Sequence, residues 1–186
     1  MPDFSEVPLL VAFADFLRYT AQVDRLPDAE VARVMAAYYA LAGSRIAAGG
    51  GRVVKFIGDA MLAVFPSEHA ETGVLSLLDL KDAADEFMTK QGWDCRLVVK
   101  AHFGSVAEGT FSVGTEQRYD VLGKTVNIAA RLEAGAGVSL SAEAFRRLGP
   151  EARRRFKKHT PPITYIRAED SHTPRWVGRF SGPRLG

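Results

Sequence analysis

Apolar residues recur along the chain with strand and helix periods in turn. Residues 7–16 form a nearly continuous apolar run of strand length, the mark of a strand buried on both faces, and Asp15 sits near its end. After Pro27-Asp28, the positions Val31, Val34, Met35, Tyr38, Leu41 and Ile46 follow helical spacing until Gly49-Gly50-Gly51 stops the pattern. Over residues 52–65 two apolar runs flank Gly58-Asp59, which predicts a tight hairpin with Asp59 at its tip. A second helix is expected from Pro66-Ser67 to about Gly92. It carries Val74, Leu77, Leu78, Ala84, Phe87 and Met88 on one side, with Asp79, Asp82, Asp85 and Glu86 toward the other.

Leu97, Val99, Ala101 and Phe103 then alternate with polar residues, as in a half-buried strand. Residues 104–123 are expected to hold short strands separated by glycine turns. A helix over 125–133 closed by Gly135, a strand over 138–140, and a helix capped by Ser141 and terminated by Gly149-Pro150 follow. Residues 164–166 read as a last strand, and the chain turns polar and rich in Pro and Gly from about Glu169. This order predicts one α+β domain with helices packed on a mostly antiparallel sheet.

At 186 residues and 47% apolar content the chain can build a full core. Its 24 Lys and Arg balance 22 Asp and Glu, so no global field draws it to nucleic acid or to an anionic membrane. The local basic runs Arg146-Arg147, Arg153-Arg154-Arg155 and Lys157-Lys158 are expected to be a solvated helix face. Cys95 is the single cysteine, which excludes an intrachain disulfide and suits a reducing compartment. Asp15 interrupts the most apolar N-terminal run, which also lacks a basic leader and a cleavage site, so a cytoplasmic chain is expected.

Asp59 alone is what turn chemistry would select. Asp15 changes that, because a strand end and an adjacent hairpin tip would deliver two carboxylates to one edge of the sheet. Such a pair repels unless a cation holds it, and hard oxygen donors suit Mg²⁺ or Mn²⁺, two of which can clamp the attacking and leaving oxygens of a phosphate displacement. Asn127 and Arg131 are i and i+4 on one helix and share a face, an arrangement that by itself is more often structural than functional. His102 has no partner at metal-ligand spacing, and Gly123-Lys124-Thr125 has Arg118 where a phosphate loop needs glycine.

Four blocks taken together resemble the class III nucleotidyl cyclase catalytic domain. They are Phe13-Ala14-Asp15-Phe16, Gly49-Gly50 with Lys55-Phe56-Ile57-Gly58-Asp59-Ala60, Tyr119-Asp120-Val121-Leu122-Gly123, and Val126-Asn127-Ile128-Ala129-Ala130-Arg131-Leu132-Glu133. The 44 positions from Asp15 to Asp59, seven from Asp120 to Asn127 and four from Asn127 to Arg131 are similar to the family's spacing. The resemblance implies a ferredoxin-like βαββαβ core, a catalytic domain over residues 1–167 and a loose tail over 168–186.

It also implies two Mg²⁺ or Mn²⁺ ions on Asp15, Asp59 and the Phe16 carbonyl, with Asn127 and Arg131 as catalytic residues. Lys55, Asp120, Thr20 and Lys157 are implied to bind substrate. A lysine donor with an aspartate acceptor complements adenine, whose N1 accepts and whose N6 donates, whereas guanine reverses both. The resemblance therefore implies ATP as substrate, cyclic AMP as product, and a head-to-tail homodimer with two composite active sites. A catalytically inactive cyclase-like module that binds nucleotide or a partner, or a cyclase using GTP, are the alternatives. Arg18 departs from the glycine usual in the turn after the first aspartate, and residues 158–162 depart from the glycine-spaced pattern usual after the late lysine.

Overall fold

The computed structural model describes residues 4–133, 137–160 and 162–172. Strand β1 (Phe4–Leu17) leads through a short helix α1 (Tyr19–Val23) to α2 (Asp28–Ala48). The hairpin β2 (Arg52–Ile57) and β3 (Ala60–Pro66) follows, and a 3-10 turn at Ser67–His69 opens α3 (Ala70–Lys90). Next come β4 (Arg96–Val113), β5 (Glu116–Leu122), α4 (Lys124–Arg131) and β6 (Gly137–Ser141). The short elements α5 (Ala142–Phe145), α6 (Pro150–Arg153), β7 (Phe156–His159), β8 (Thr164–Arg167) and a 3-10 turn at Ala168–His172 complete the order.

One sheet runs β2-β3-β1-β4-β6-β8-β7, with β5 paired to β4, and every pairing except β4 with β6 is antiparallel. Its β2-β3-β1-β4 portion, with α2 and α3 on one face, is the ferredoxin-like core. The apolar run of β1 is explained by its central position. Leu10, Ala12, Ala14 and Phe16 face α2 and α3, while Leu9 and Val11 face a second cluster with Leu62, Val64, Val121 and Ala129. Phe65, fully buried, fills the space left by Gly73, where a Cβ would come within 2.6 Å of its ring. Among the described residues no helix is long and apolar enough to cross a membrane.

Three expectations are corrected. Residues 104–123 form one long strand and its hairpin partner rather than several short strands. Gly104 is no turn. A Cβ there would stand 2.5 Å from the Thr125 hydroxyl, so glycine serves the close approach of α4, and the chain reverses only at Gly114, φ 62°. Ser141 does cap α5, its hydroxyl accepting the Ala144 N–H at 3.2 Å, but Gly149-Pro150 starts α6 instead of ending the preceding helix. Proline fits a first helical turn, where its missing N–H costs nothing. The third is the helix face expected at Lys157-Lys158, which belongs instead to β7, where the exposed lysines hide the apolar alternation and protect an edge strand from pairing with another chain.

Gly135, expected to close α4, and residues 173–186 of the expected tail lie outside the described residues. The first tail residues pack on the domain. Asp170 accepts the Val138 N–H at 3.2 Å, and just before the tail Arg167, the last residue of β8, donates twice to Asp82, at 2.6 and 2.9 Å.

Candidate active site

The hairpin tip is a two-residue turn, with Ile57 paired to Ala60 and Gly58 at φ 60° in the first central position. A positive φ there matches the twist of the flanking strands and favours glycine. The turn delivers Asp59 to the end of β1, where its Oδ2 accepts the Phe16 N–H at 2.9 Å. Asp15, one residue earlier and on the opposite face of β1 from Ala14 and Phe16, stands close enough to act on Asp59 electrostatically. Burial pushes the Asp59 carboxyl above the usual carboxylate range, the Phe16 N–H opposes this, and the Asp15 charge adds to the rise. Burial likewise raises Asp15, against the pull of Lys100. Lys100 pairs with Phe13 and Val98 with Asp15 across β1 and β4, so the ammonium lies diagonally from Asp15 on the same face.

Among the described residues no group of three or more His, Cys, Asp and Glu forms a metal cluster. The donors available are two carboxylates and backbone carbonyl oxygen. Both carboxyls are partly desolvated and disfavour their own charged forms, so the pair fits a hard divalent cation that would offset that charge.

Lys55 donates to Asp120 Oδ2 at 2.5 Å, linking β2 to β5. A bulge makes this possible. Val53 opposes Ala63 but Lys55 opposes Leu62, so the extra residue Val54 turns Lys55 away from the α2–α3 side and onto the open face. Asp120 Oδ1 accepts the Val121 N–H at 2.8 Å, which holds the carboxylate while Oδ2 meets the lysine. Beside this pair the Arg52 guanidinium lies 3.7 Å above the Tyr119 ring, and the Tyr119 hydroxyl donates to Glu108 at 2.6 Å. Burial and Glu108 push the Tyr119 hydroxyl up, keeping it protonated as a donor.

Gly123, φ 138°, precedes α4. Asn127 and Arg131 are both exposed on that helix, and Arg131 Nε donates to the Asn127 carbonyl at 3.3 Å. Between α4 and the hairpin lies an apolar hollow of about 180 Å³ whose lining includes Phe13, Lys55, Ile57, Leu62, Val121 and Val126. The structure therefore gathers Lys55 and Asp120 beside α4, and Asp15 beside Asp59. Among the described residues no hydrogen bond or ion pair joins the second group to Asn127 or Arg131.

Thr20 is exposed on α1. Lys157 stands exposed on β7, separated from β1 by β4, β6 and β8. Arg18 adopts the left-handed conformation, φ 65°, and pairs with Asp94. The supporting residues that sequence reasoning passed over are Tyr39, whose hydroxyl donates to the Gly58 carbonyl at 2.5 Å, and the Arg52–Tyr119–Glu108 chain. Tyr38 and Phe56 carried an apolar signal, but nothing in the spacing marked Tyr39.

Solved structures share this fold. A bacterial light-regulated adenylyl cyclase superposes with a TM-score of 0.77 at 24% identity, covering 94% of this chain and 55% of that one. The guanylyl cyclase Cya2 superposes at 0.76 and 20% identity, covering 88% and 93%. The family model for the adenylate and guanylate cyclase catalytic domain matches residues 3–173, and the chain belongs to that family, the class III nucleotidyl cyclases.

In sequence the chain is similar to an adenylate cyclase of Anabaena cylindrica, 28% identical over 135 residues, and to one of Streptomyces coelicolor, 32% identical over 124 residues. Each alignment covers 67% of this chain, and the chain spans only 26% and 29% of those proteins' lengths.

Proposed function

We propose that the chain is an adenylate cyclase domain that converts ATP to 3′,5′-cyclic AMP and pyrophosphate, with residues 1–167 as the catalytic unit and residues 168–186 as an appended tail. The observation that carries this reading is the meeting of β1 and the hairpin tip, where the Phe16 N–H holds Asp59 beside Asp15. Asp15, Asp59 and the Phe16 carbonyl would hold two Mg²⁺ or Mn²⁺ ions, which when bound lower the pKa of the ribose 3′-hydroxyl and neutralise triphosphate charge. Arg131 stabilises the charge that builds on the α-phosphate as the 3′-oxygen attacks phosphorus in line and the bond to pyrophosphate breaks. Asn127 positions the ribose. Thr20 and Lys157 contact the triphosphate.

Lys55 donates to adenine N1, and Asp120 accepts from the N6 amino group. Lys55 and Asp120, paired at 2.5 Å, would each turn to the purine edge when the base is bound. Two such groups facing guanine would each meet a partner of the wrong kind, which is why ATP is preferred to GTP.

Asp15 and Asp59 share no hydrogen bond or ion pair with Asn127 or Arg131 among the described residues, and the reading is a two-fold homodimer in which each copy's carboxylates face the second copy's Lys55, Asp120, Asn127 and Arg131. The exposed Ile57 and Leu122, beside the apolar hollow, supply surface for that contact. With ATP as substrate we place the domain in the cytoplasm. Phosphorus NMR of the purified chain with ATP and Mn²⁺ tests the reaction type: pyrophosphate and cyclic AMP appear in equal amounts. Release of ADP and inorganic phosphate would contradict a cyclase.

A further inference from the structure

The geometry points to Tyr39 as a positioning residue for Asp59: its hydroxyl pins the carbonyl of the peptide from which Asp59 departs, while its ring locks onto the hairpin arm. This rests on the reading of Asp59 as a functional carboxylate. The Tyr39 hydroxyl donates to the Gly58 carbonyl at 2.5 Å. Its ring stacks on Phe56 with centroids 3.9 Å apart and an interplanar angle of 12°.

Gly58 and Asp59 are the two central residues of the turn, so the Gly58 carbonyl belongs to the central peptide. That peptide is the one that rotates when a turn changes type, because related turns differ chiefly in ψ of the first central residue and φ of the second. Glycine at the first position lowers the resistance to such rotation. A rotated plane would carry the Asp59 Cα–Cβ bond with it and aim the carboxylate elsewhere.

Little else holds the tip. β2 is an edge strand with one neighbour in the main sheet, and Ile57, just before the turn, is 70% exposed. Among the described residues, two hydrogen bonds reach the turn from outside the hairpin, one on each side of Asp59. The Phe16 N–H grips the Asp59 side chain, and Tyr39 grips the backbone that precedes it. Tyr39 is itself carried by the 21-residue α2, where its neighbour Tyr38 is fully buried against Phe16, with ring centroids 4.7 Å apart. The anchor therefore starts from the core of the domain.

The Phe16 amide gives a direct readout, since its hydrogen-bond acceptor is Asp59 itself. Amide exchange is measured by NMR in the full chain for the parent, Tyr39→Phe and Tyr39→Leu, with the Val99 amide in the buried core as control. Tyr39→Phe keeps the stacking and loses the hydrogen bond. It is expected to speed Phe16 exchange about three- to ten-fold, the range set by one net hydrogen bond, with Val99 unchanged. Tyr39→Leu loses both contacts and is expected to speed it further.

Mn²⁺ binding followed by electron paramagnetic resonance is expected to weaken about three-fold or more in Tyr39→Phe. A residue that merely stabilises the fold would move Phe16 and Val99 together, and that result, or unchanged Phe16 exchange in both variants, overturns the assignment. If the parent binds no Mn²⁺ and forms no product, the proposed activity fails, while the exchange ratios still decide whether Tyr39 positions Asp59.

Discussion

Phe16 and Asp59 are 43 positions apart, and the backbone N–H of the first donates to the carboxylate of the second at 2.9 Å. The bond offsets only part of what burial imposes, since the Asp59 carboxyl remains raised. A carboxyl raised in the folded state binds protons there that the unfolded chain has already released. The metal-free domain therefore loses stability as pH rises from the ordinary carboxylate range, about 4, through the raised values of Asp59 and Asp15. Asp59→Asn keeps an acceptor for Phe16 and removes the charge. Its thermal midpoint is expected above the parent's at pH 7.5, with the gap closing as pH falls and the parent's raised carboxyl takes up its proton. Asp59→Ala orphans the Phe16 N–H and is expected to cost about 1 kcal/mol relative to Asp59→Asn.

Lys55 and Asp120 present one donor and one acceptor across 2.5 Å. Exchanging them in Lys55→Glu with Asp120→Lys preserves an ion pair but reverses the pattern toward guanine. The ratio of kcat/KM for ATP over GTP is expected to fall by about 10² or more, since each mismatched polar group leaves a buried partner unpaired. Either single substitution brings like charges together and is expected to lower both activities.

The proposal that each site is shared between two copies makes a quantitative demand. Asp59→Ala and Arg131→Ala, each alone, are expected to lower kcat by about 10² or more. Mixed in equal amounts after subunit exchange, half the dimers are mixed and each holds one intact site. Activity should return to about a quarter of the parent's, as random pairing of a two-fold dimer dictates. Mixed dimers confirmed by mass spectrometry that stay inactive would refute shared sites.

Arg18 is the one non-glycine residue at positive φ among the described residues. Left-handed backbone costs a side-chain-bearing residue about 1–2 kcal/mol, most for β-branched types. Arg18→Gly removes that strain, partly offset by its greater freedom when unfolded and by loss of the exposed pair with Asp94. The thermal midpoint is expected to rise by up to about 3 °C, whereas Arg18→Val lowers it by about 2–4 °C or more. Calorimetry on the three proteins distinguishes the cases.

Legibility in the sequence followed periodicity. The two-sided burial of β1, the 21-residue helices and the Gly58 hairpin were all readable because each is a local pattern of apolar spacing or of one turn dipeptide. Where the pattern is broken by design, it misled. The bulge at Val54 is invisible to alternation, yet without it Lys55 would oppose Met61 and point toward α2 and α3. Gly104 looked like a turn because close approach of a helix and reversal of the chain both select glycine. β7 was hidden because an edge strand that must repel other edges carries lysine where an inner strand carries valine. Family resemblance supplied what spacing could not, namely which carboxylates and which helix pair to set together, and the hydrogen bond between Phe16 and Asp59 joins two of its four blocks.

The most direct test is the initial rate of cyclic nucleotide formation by the purified chain, with ATP or GTP and with Mg²⁺ or Mn²⁺, against Asp59→Ala as blank. The account predicts cyclic AMP from ATP, about 10² or more over cyclic GMP from GTP, and a rate lower by about 10² or more in the variant. A folded dimer that forms no cyclic nucleotide with either substrate and either metal, or that favours GTP, would contradict it.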